Sequence, residues 1–297
     1  MKAETFHINL GEYSVAVHHF GRNPQHPCVI LIHGSIENAR IFFSRSGKGF
    51  APWLAKQGFD VYAVDLPGKG ASKPRIGRSF RHSQTRFITE DLPAITRHIR
   101  ERNQSGVLHF ATHSWGGVLV PAMLARQDFP VKSMVFFGSK RRISVMNLRR
   151  FFMVDVIWAM GGLGVSAILG YLPARAMRIG SDNEPLPFFR QTNRWVYSRR
   201  WTDPEDGFDY GAALRNKTLP PTLFFAGIRD HTLGNPVDVE LLMHEIPNPR
   251  HELQILGKNY GNAHDYGHID MLTHHRAHED HFPLVASWFR RFGAEEI

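Results

Sequence analysis

Residues 107–117 read V-L-H-F-A-T-H-S-W-G-G, and residues 118–124 follow as V-L-V-P-A-M-L. The first five are a short apolar run of strand type, and the segment from Val118 to Leu124 has helical character. Ser114 sits between them. A strand that becomes a helix through one serine lifts the hydroxyl at the C-terminal edge of a sheet and turns the next amide, that of Trp115, into the same space. The helix N-terminus also favours developing negative charge there. A serine ahead of a helix is equally a plain N-cap, so the order of the surrounding elements has to decide.

That order is an alternation of strands and helices. Strands are expected at 13–19, 28–32, 59–64, 107–111, 131–137, 222–226 and 251–256, and helices at 50–56, 89–99, 118–124, 237–244 and 282–292. Pro93 suits the first turn of its helix. Runs such as C-V-I-L-I at 28–32 do not alternate, which fits strands covered on both faces. The expected fold is therefore α/β with a mostly parallel sheet flanked by helices. A crossover needs about a dozen residues, so the stretch from 139 to 221 reads as an inserted helical cap. The expected organisation is a core at 1–139, a cap at 140–220 and the rest of the core at 221–297.

Further polar residues stand at strand ends. His33-Gly34-Ser35 follows 28–32, where a glycine lets the backbone turn and present amides; Ser35 and Trp115 would then supply two oxyanion donors. The bland reading is a strand-ending turn. Asp65, in D-L-P-G-K-G-A-S, reads as turn chemistry. Asp230 ends T-L-F-F-A-G-I-R-D, at the edge where parallel sheets gather ligands, although a loop aspartate is usually only a turn former. His268, in D-Y-G-H-I-D, titrates near neutrality as a general base must. His264, His274, His275, His278 and His281 compete with it. The spacing of His274, His278 and His281 would suit one helical face, but no established metal-ligand pattern is present.

The chain has 297 residues, 42% of them hydrophobic and 21% charged, an ordinary globular balance. One cysteine, Cys28, excludes an internal disulfide framework and a multi-cysteine zinc site. A formal charge of +9 favours anionic partners, yet no nucleic-acid-binding motif appears. The N-terminal residues lack the apolar stretch of a signal peptide, and a cytoplasmic location is expected. Residues 151–171 are long and apolar enough to span a bilayer. They are read first as a buried or cap helix broken at Gly161-Gly162, second as an element touching a membrane surface, and last as a true span.

In chain order, His33-Gly34, the Asp65 segment, the Ser114 elbow, G-I-R-D at Asp230 and G-H-I-D at His268 resemble the α/β-hydrolase superfamily, its lipase and esterase members in particular. The resemblance runs from about Val29 to the last helix. It implies Ser114 as nucleophile, Asp230 as orienting acid and His268 as base, with Ser35 and Trp115 as the oxyanion hole and no cofactor or metal. Thr112 departs from the glycine of the family motif, so a slightly rearranged elbow is expected. A serine nucleophile implies hydrolysis of an ester or thioester of an apolar acyl group through an acyl-enzyme. Amide hydrolysis, acyl transfer and C–C cleavage share the same triad. The alternative is a non-catalytic protein of the same fold that binds a ligand or partner. Cap aromatics, among them Phe151, Phe152, Trp158, Phe188, Phe189, Trp195 and Trp201, suit an apolar substrate or the cap's own packing. Lys140, Arg141, Arg142, Arg149, Arg150, Arg199 and Arg200 suit an anionic head group or a solvated surface.

Overall fold

In the computed structural model, which describes residues 2–21 and 23–294, the apolar runs pair into one eight-stranded sheet. Its strands are β1 (Glu4–Asn9), β2 (Ser14–Phe20), β3 (Cys28–Ile32), β4 (Asp60–Val64), β5 (Leu108–His113), β6 (Val131–Phe137), β9 (Thr222–Gly227) and β10 (Glu252–Leu256). Two short strands of the insertion, β7 (Tyr171–Leu172) and β8 (Glu184–Pro185), pair only with each other. The order across the main sheet is β1-β2-β4-β3-β5-β6-β9-β10. From β4 to β10 all pairings are parallel, and β1 and β2 are added antiparallel at one edge.

The central strands lack alternation because both faces are covered. All five residues of β3 are buried: Ile30 and Ile32 face one core with Leu119 and Met123, and Val29 and Leu31 face the other with Phe50 and Phe289. The helices that cover them are α1 (Phe50–Lys56), α2 (Leu92–Arg102) and α3 (Gly116–Arg126), then α7 (Pro236–Glu245) and α8 (Phe282–Gly293) late in the chain. Pro93 lies in the first turn of α2, as expected, but a wider-wound turn, Phe87–Asp91, extends that helix backwards.

Between β6 and β9 the chain leaves the sheet and forms α4 (Leu148–Leu169), α5 (Leu186–Tyr197) and α6 (Tyr210–Arg215). The expected break at Gly161-Gly162 is absent. The helix runs on to Gly170, which caps it in the left-handed region at φ 85°. Gly162 serves close approach instead, since a Cβ there would lie 2.9 Å from the Phe189 ring of α5. Nor is α4 buried: Leu148 is 79% exposed, Met160 72% and Ile168 74%. The aromatic residues of the insertion divide. Trp195, Trp201 and Tyr210 pack on one another, whereas Phe151 and Phe152 face outward.

Candidate active site

Parallel strands with helical crossovers bring their C-terminal ends to one edge, and the chemistry-bearing residues gather there. Ser114 follows β5 with φ 51°, one of three non-glycine residues in the left-handed region among the described residues. A serine held there is strained, and such strain persists where the surroundings over-determine it. Here they do: the Ser114 amide donates to the Phe137 carbonyl at 2.9 Å, and α3 begins at Gly116 directly behind it. Gly116 packs on β3, where a Cβ would lie 2.3 Å from the Ile32 carbonyl oxygen.

Thr112 leaves the elbow intact. Its Oγ1 lies 3.4 Å from Ser139 Oγ, and the space it needs is provided by Gly117, whose Cβ would lie 2.9 Å from Thr112 Oγ1 and 2.3 Å from Ser139 Oγ. A glycine on the helix side of the elbow thus makes room for the threonine on its strand side.

The loop after β3 lies over the serine. A Cβ on Gly34 would come within 2.8 Å of Ser114 Cβ and 3.0 Å of the Trp115 nitrogen. Among the described residues neither the Ser35 nor the Trp115 amide donates to a protein acceptor, so both are free for a ligand. Asp65 is structural, as read: it accepts from His18 Nε2 at 2.9 Å and from the Ala39 and Ala71 amides at 2.8 and 2.7 Å.

On the far side of β5, beyond β6 and β9, His268 Nδ1 donates to Asp230 Oδ2 at 2.6 Å. Asp230 also accepts from the Leu233 amide at 2.8 Å. Burial by itself would raise the Asp230 carboxyl, but the His268 ring and the Lys140 ammonium hold it down at about 2. Burial lowers His268 below the ordinary imidazole value, more than Asp230 raises it. The imidazole therefore rests neutral, with its proton on Nδ1 and its Nε2 lone pair free.

The competing histidines are engaged elsewhere. His264 stacks on His274 at 4.1 Å, and His281 is buried with Nε2 against the Met271 carbonyl. His274, His278 and His281 share no helical face, because Asp270–Thr273 stops at His274 and a separate turn starts at Ala277. No cluster of metal-ligating side chains occurs among the described residues.

Sequence reasoning missed two neighbours of Ser114. Lys140, read as cap surface, is buried and donates from Nζ to Ser114 Oγ at 3.1 Å; its signal was its place just past β6, two residues after Gly138. His113, inside the elbow, donates from Nδ1 to Glu37 Oε1 at 2.7 Å and from Nε2 to the His268 carbonyl at 2.9 Å. Glu37 also accepts from the Gly34 amide. Arg141 is likewise no surface residue, being buried against Glu245 and the Trp195 and Ser198 carbonyls.

Ser114, Trp115, Lys140 and His268 line one end of a cavity of about 540 Å³, and Met153, Val154, Ile157 and Trp158 of α4 line another part of its wall. The arrangement holds a hydroxyl, a neutral imidazole braced by a carboxylate and two unengaged amides around one apolar space, the parts that acyl transfer requires.

A family model described as the alpha/beta hydrolase fold matches residues 27–162. Solved structures extend the likeness over almost the whole chain. A thermophilic esterase from Thermogutta terrifontis matches with a TM-score of 0.61 and 15% identity, over 98% of this chain and 100% of that one. A bacterial membrane phospholipase A matches with a TM-score of 0.61 and 18% identity, over 98% and 86%. A thioesterase domain from the curacin biosynthetic pathway matches with a TM-score of 0.55 and 16% identity, over 98% and 100%. Comparison with curated protein sequences gives no match.

Proposed function

We propose, from the premise that this chain has the α/β-hydrolase fold, that it is a serine hydrolase cleaving an ester or thioester of an apolar acyl group. One observation carries the reading: Ser114, held at φ 51°, opens onto an apolar cavity beside a histidine that Asp230 holds at 2.6 Å. Esterases and a thioesterase among the similar structures point the same way.

In this reading Nε2 of His268 accepts the Ser114 proton as Oγ attacks the acyl carbon. The oxygen that gains charge faces the Ser35 and Trp115 amides, which need no reorganisation to receive it. Collapse expels the alcohol or thiol, which takes the proton from His268. Water, deprotonated by the same Nε2, then releases the acid and restores the serine. Asp230 keeps the proton on Nδ1 throughout and stabilises the imidazolium that forms. The apolar wall from α4 holds the acyl chain. We also place α4 against a membrane surface, so that an apolar ester reaches the cavity beside Ile157 and Trp158.

A fluorophosphonate probe should label Ser114, and Ser114→Ala should lose both labelling and ester turnover while keeping its melting temperature. Retained turnover in Ser114→Ala, or labelling at another serine, rejects the assignment. A folded protein that is neither labelled nor active on a chain-length series of acyl esters and thioesters points to the non-catalytic, ligand-binding alternative.

A further inference from the structure

Lys140 is the residue that this reaction scheme leaves unexplained. A buried ammonium needs a partner, because taking the charge out of water is costly. The chain's other buried lysine, Lys69, has one, donating to Glu184 Oε2 at 2.9 Å. Lys140 does not. Among the described residues it forms no ion pair, and its one hydrogen bond goes to the uncharged Ser114 hydroxyl at 3.1 Å. Asp230, Glu37 and Asp238 act on it only at longer range, and burial lowers its pKa despite them. An ammonium has three donors, so two remain, and Lys140 lines the cavity.

The sheet order separates this cation from the oxyanion donors. Ser35 follows β3 on one side of β5, while Lys140 follows β6 on the other, the side that also carries Asp230 and His268. The carbonyl oxygen of a substrate turned toward Ser35 and Trp115 therefore leaves the Lys140 donors to another group. We propose that Lys140 is an anion subsite beside the nucleophile and that the substrate carries a carboxylate close to its scissile carbonyl. This rests on the hydrolase reading above and adds the substrate's charge to it. The separation of 3.1 Å from Nζ to Oγ, added to a charge-assisted hydrogen bond of about 2.8 Å, sets the reach. A carboxylate oxygen within roughly 6 Å of Oγ can be held, which is a few bonds from the acyl carbon. Beyond it the cavity is apolar, so the rest of the molecule is hydrocarbon. Ser114 Oγ accepts from Lys140 through a lone pair, so its O–H stays free to donate to His268 while the carboxylate takes the remaining ammonium donors.

Monoethyl succinate and ethyl butyrate are a matched pair that differs in this one charge. The wild-type kcat/KM should be at least about tenfold higher for the half-ester, and Lys140→Met should lower the ratio of the two by about 10- to 100-fold, the usual worth of a hydrogen bond to a charged group. The change should appear mainly in KM, and Lys140→Arg should recover part of it. Binding is read apart from turnover by titrating monoethyl succinate into Ser114→Ala with and without Lys140→Met, where the lysine should contribute at least tenfold in affinity. A wild-type enzyme that prefers ethyl butyrate, or equal affinities in the two Ser114→Ala proteins, overturns the subsite even if both esters are hydrolysed. Charge-dependent binding with no Ser114-dependent turnover of either ester overturns the hydrolase reading and keeps the subsite.

Discussion

Two carboxylates near Ser114, those of Asp230 and Glu37, are each held at about 2 by an imidazole, but the two rings rest in opposite states. His113 meets an acceptor at both nitrogens, and only the imidazolium donates to both. Burial opposes that charge, yet Glu37 raises the ring above its ordinary value. Among the described residues His268 meets an acceptor at Nδ1 alone, and it is lowered by burial first and then by the nearby positive His113 and Lys140. Ester turnover should therefore rise with pH as His268 loses its proton, with a midpoint below about 6.5. A midpoint at 7 or above contradicts this. Asp230→Asn should lose about 10⁴-fold in turnover, as removal of a triad acid does elsewhere; near-wild-type turnover moves that role to another carboxylate. The Glu37–His113 pair has its own signature. The raised ring contributes stability that is full below about 6.5 and is lost as pH rises through its folded pKa, and the depressed carboxyl contributes stability that is lost as pH falls toward about 2. Glu37→Gln should thus melt lower than wild type at pH 6, with the gap closing at higher pH; a pH-independent gap rejects the ion pair. Ser114, Asp230 and His268 could be proposed from sequence because Ser114 directly follows β5, Asp230 lies just past β9 and His268 lies in the segment after β10, and their chain order is informative. Glu37 and Lys140 were not, because their partners lie 76 and 26 residues away and only the sheet order brings them together.

At the scale of the element, the sequence revealed the central strands to within a residue or two, because buried parallel strands are unbroken apolar runs. Helix α4 misled it. Paired glycines usually mark a break, but a glycine also allows two helices to approach, and the sequence does not say which partner comes near. Here the partner is Phe189 of α5, which also carries Trp158 against its ring at 4.8 Å. Gly162→Val should force α4 and α5 apart and cost about 1–3 kcal/mol, as overpacking does, visible as a lowered melting temperature. An unchanged melting temperature means that the Phe189 ring swings clear and that the contact does not set the position of α4.

For the whole molecule, what remains is the face that α4 presents. At 22 residues it is roughly 33 Å long, enough to cross a bilayer, yet its inner side forms the cavity wall through Val154 and Ile157 and packs on Phe189 through Trp158. Crossing a membrane would unroof the cavity. Lying in the plane of the interface would not, and it would cover Leu148, Phe152, Met160 and Ile168, all exposed. An exposed apolar ridge of this size marks an interaction surface. The charge beside it favours an anionic lipid surface: Arg149 is exposed on the helix, Arg190 and Arg194 are exposed along the groove where α5 meets it, and the chain carries +9 overall. Exposed arginines near such a surface contribute about 1 kcal/mol each and are screened by salt, whereas the apolar insertion is not. The protein should float with vesicles containing phosphatidylglycerol and much less with phosphatidylcholine alone, and raising salt from about 0.05 to 0.5 M should weaken binding without abolishing it. Replacing Met160 and Ile168 together by glutamate removes two apolar side chains worth about 1.5–3 kcal/mol each when buried, so vesicle affinity should fall at least tenfold while the melting temperature holds. If the wild type does not float at low salt and instead elutes as a concentration-dependent dimer that the double glutamate variant dissociates, the ridge is an interface between copies of this chain and not a membrane anchor.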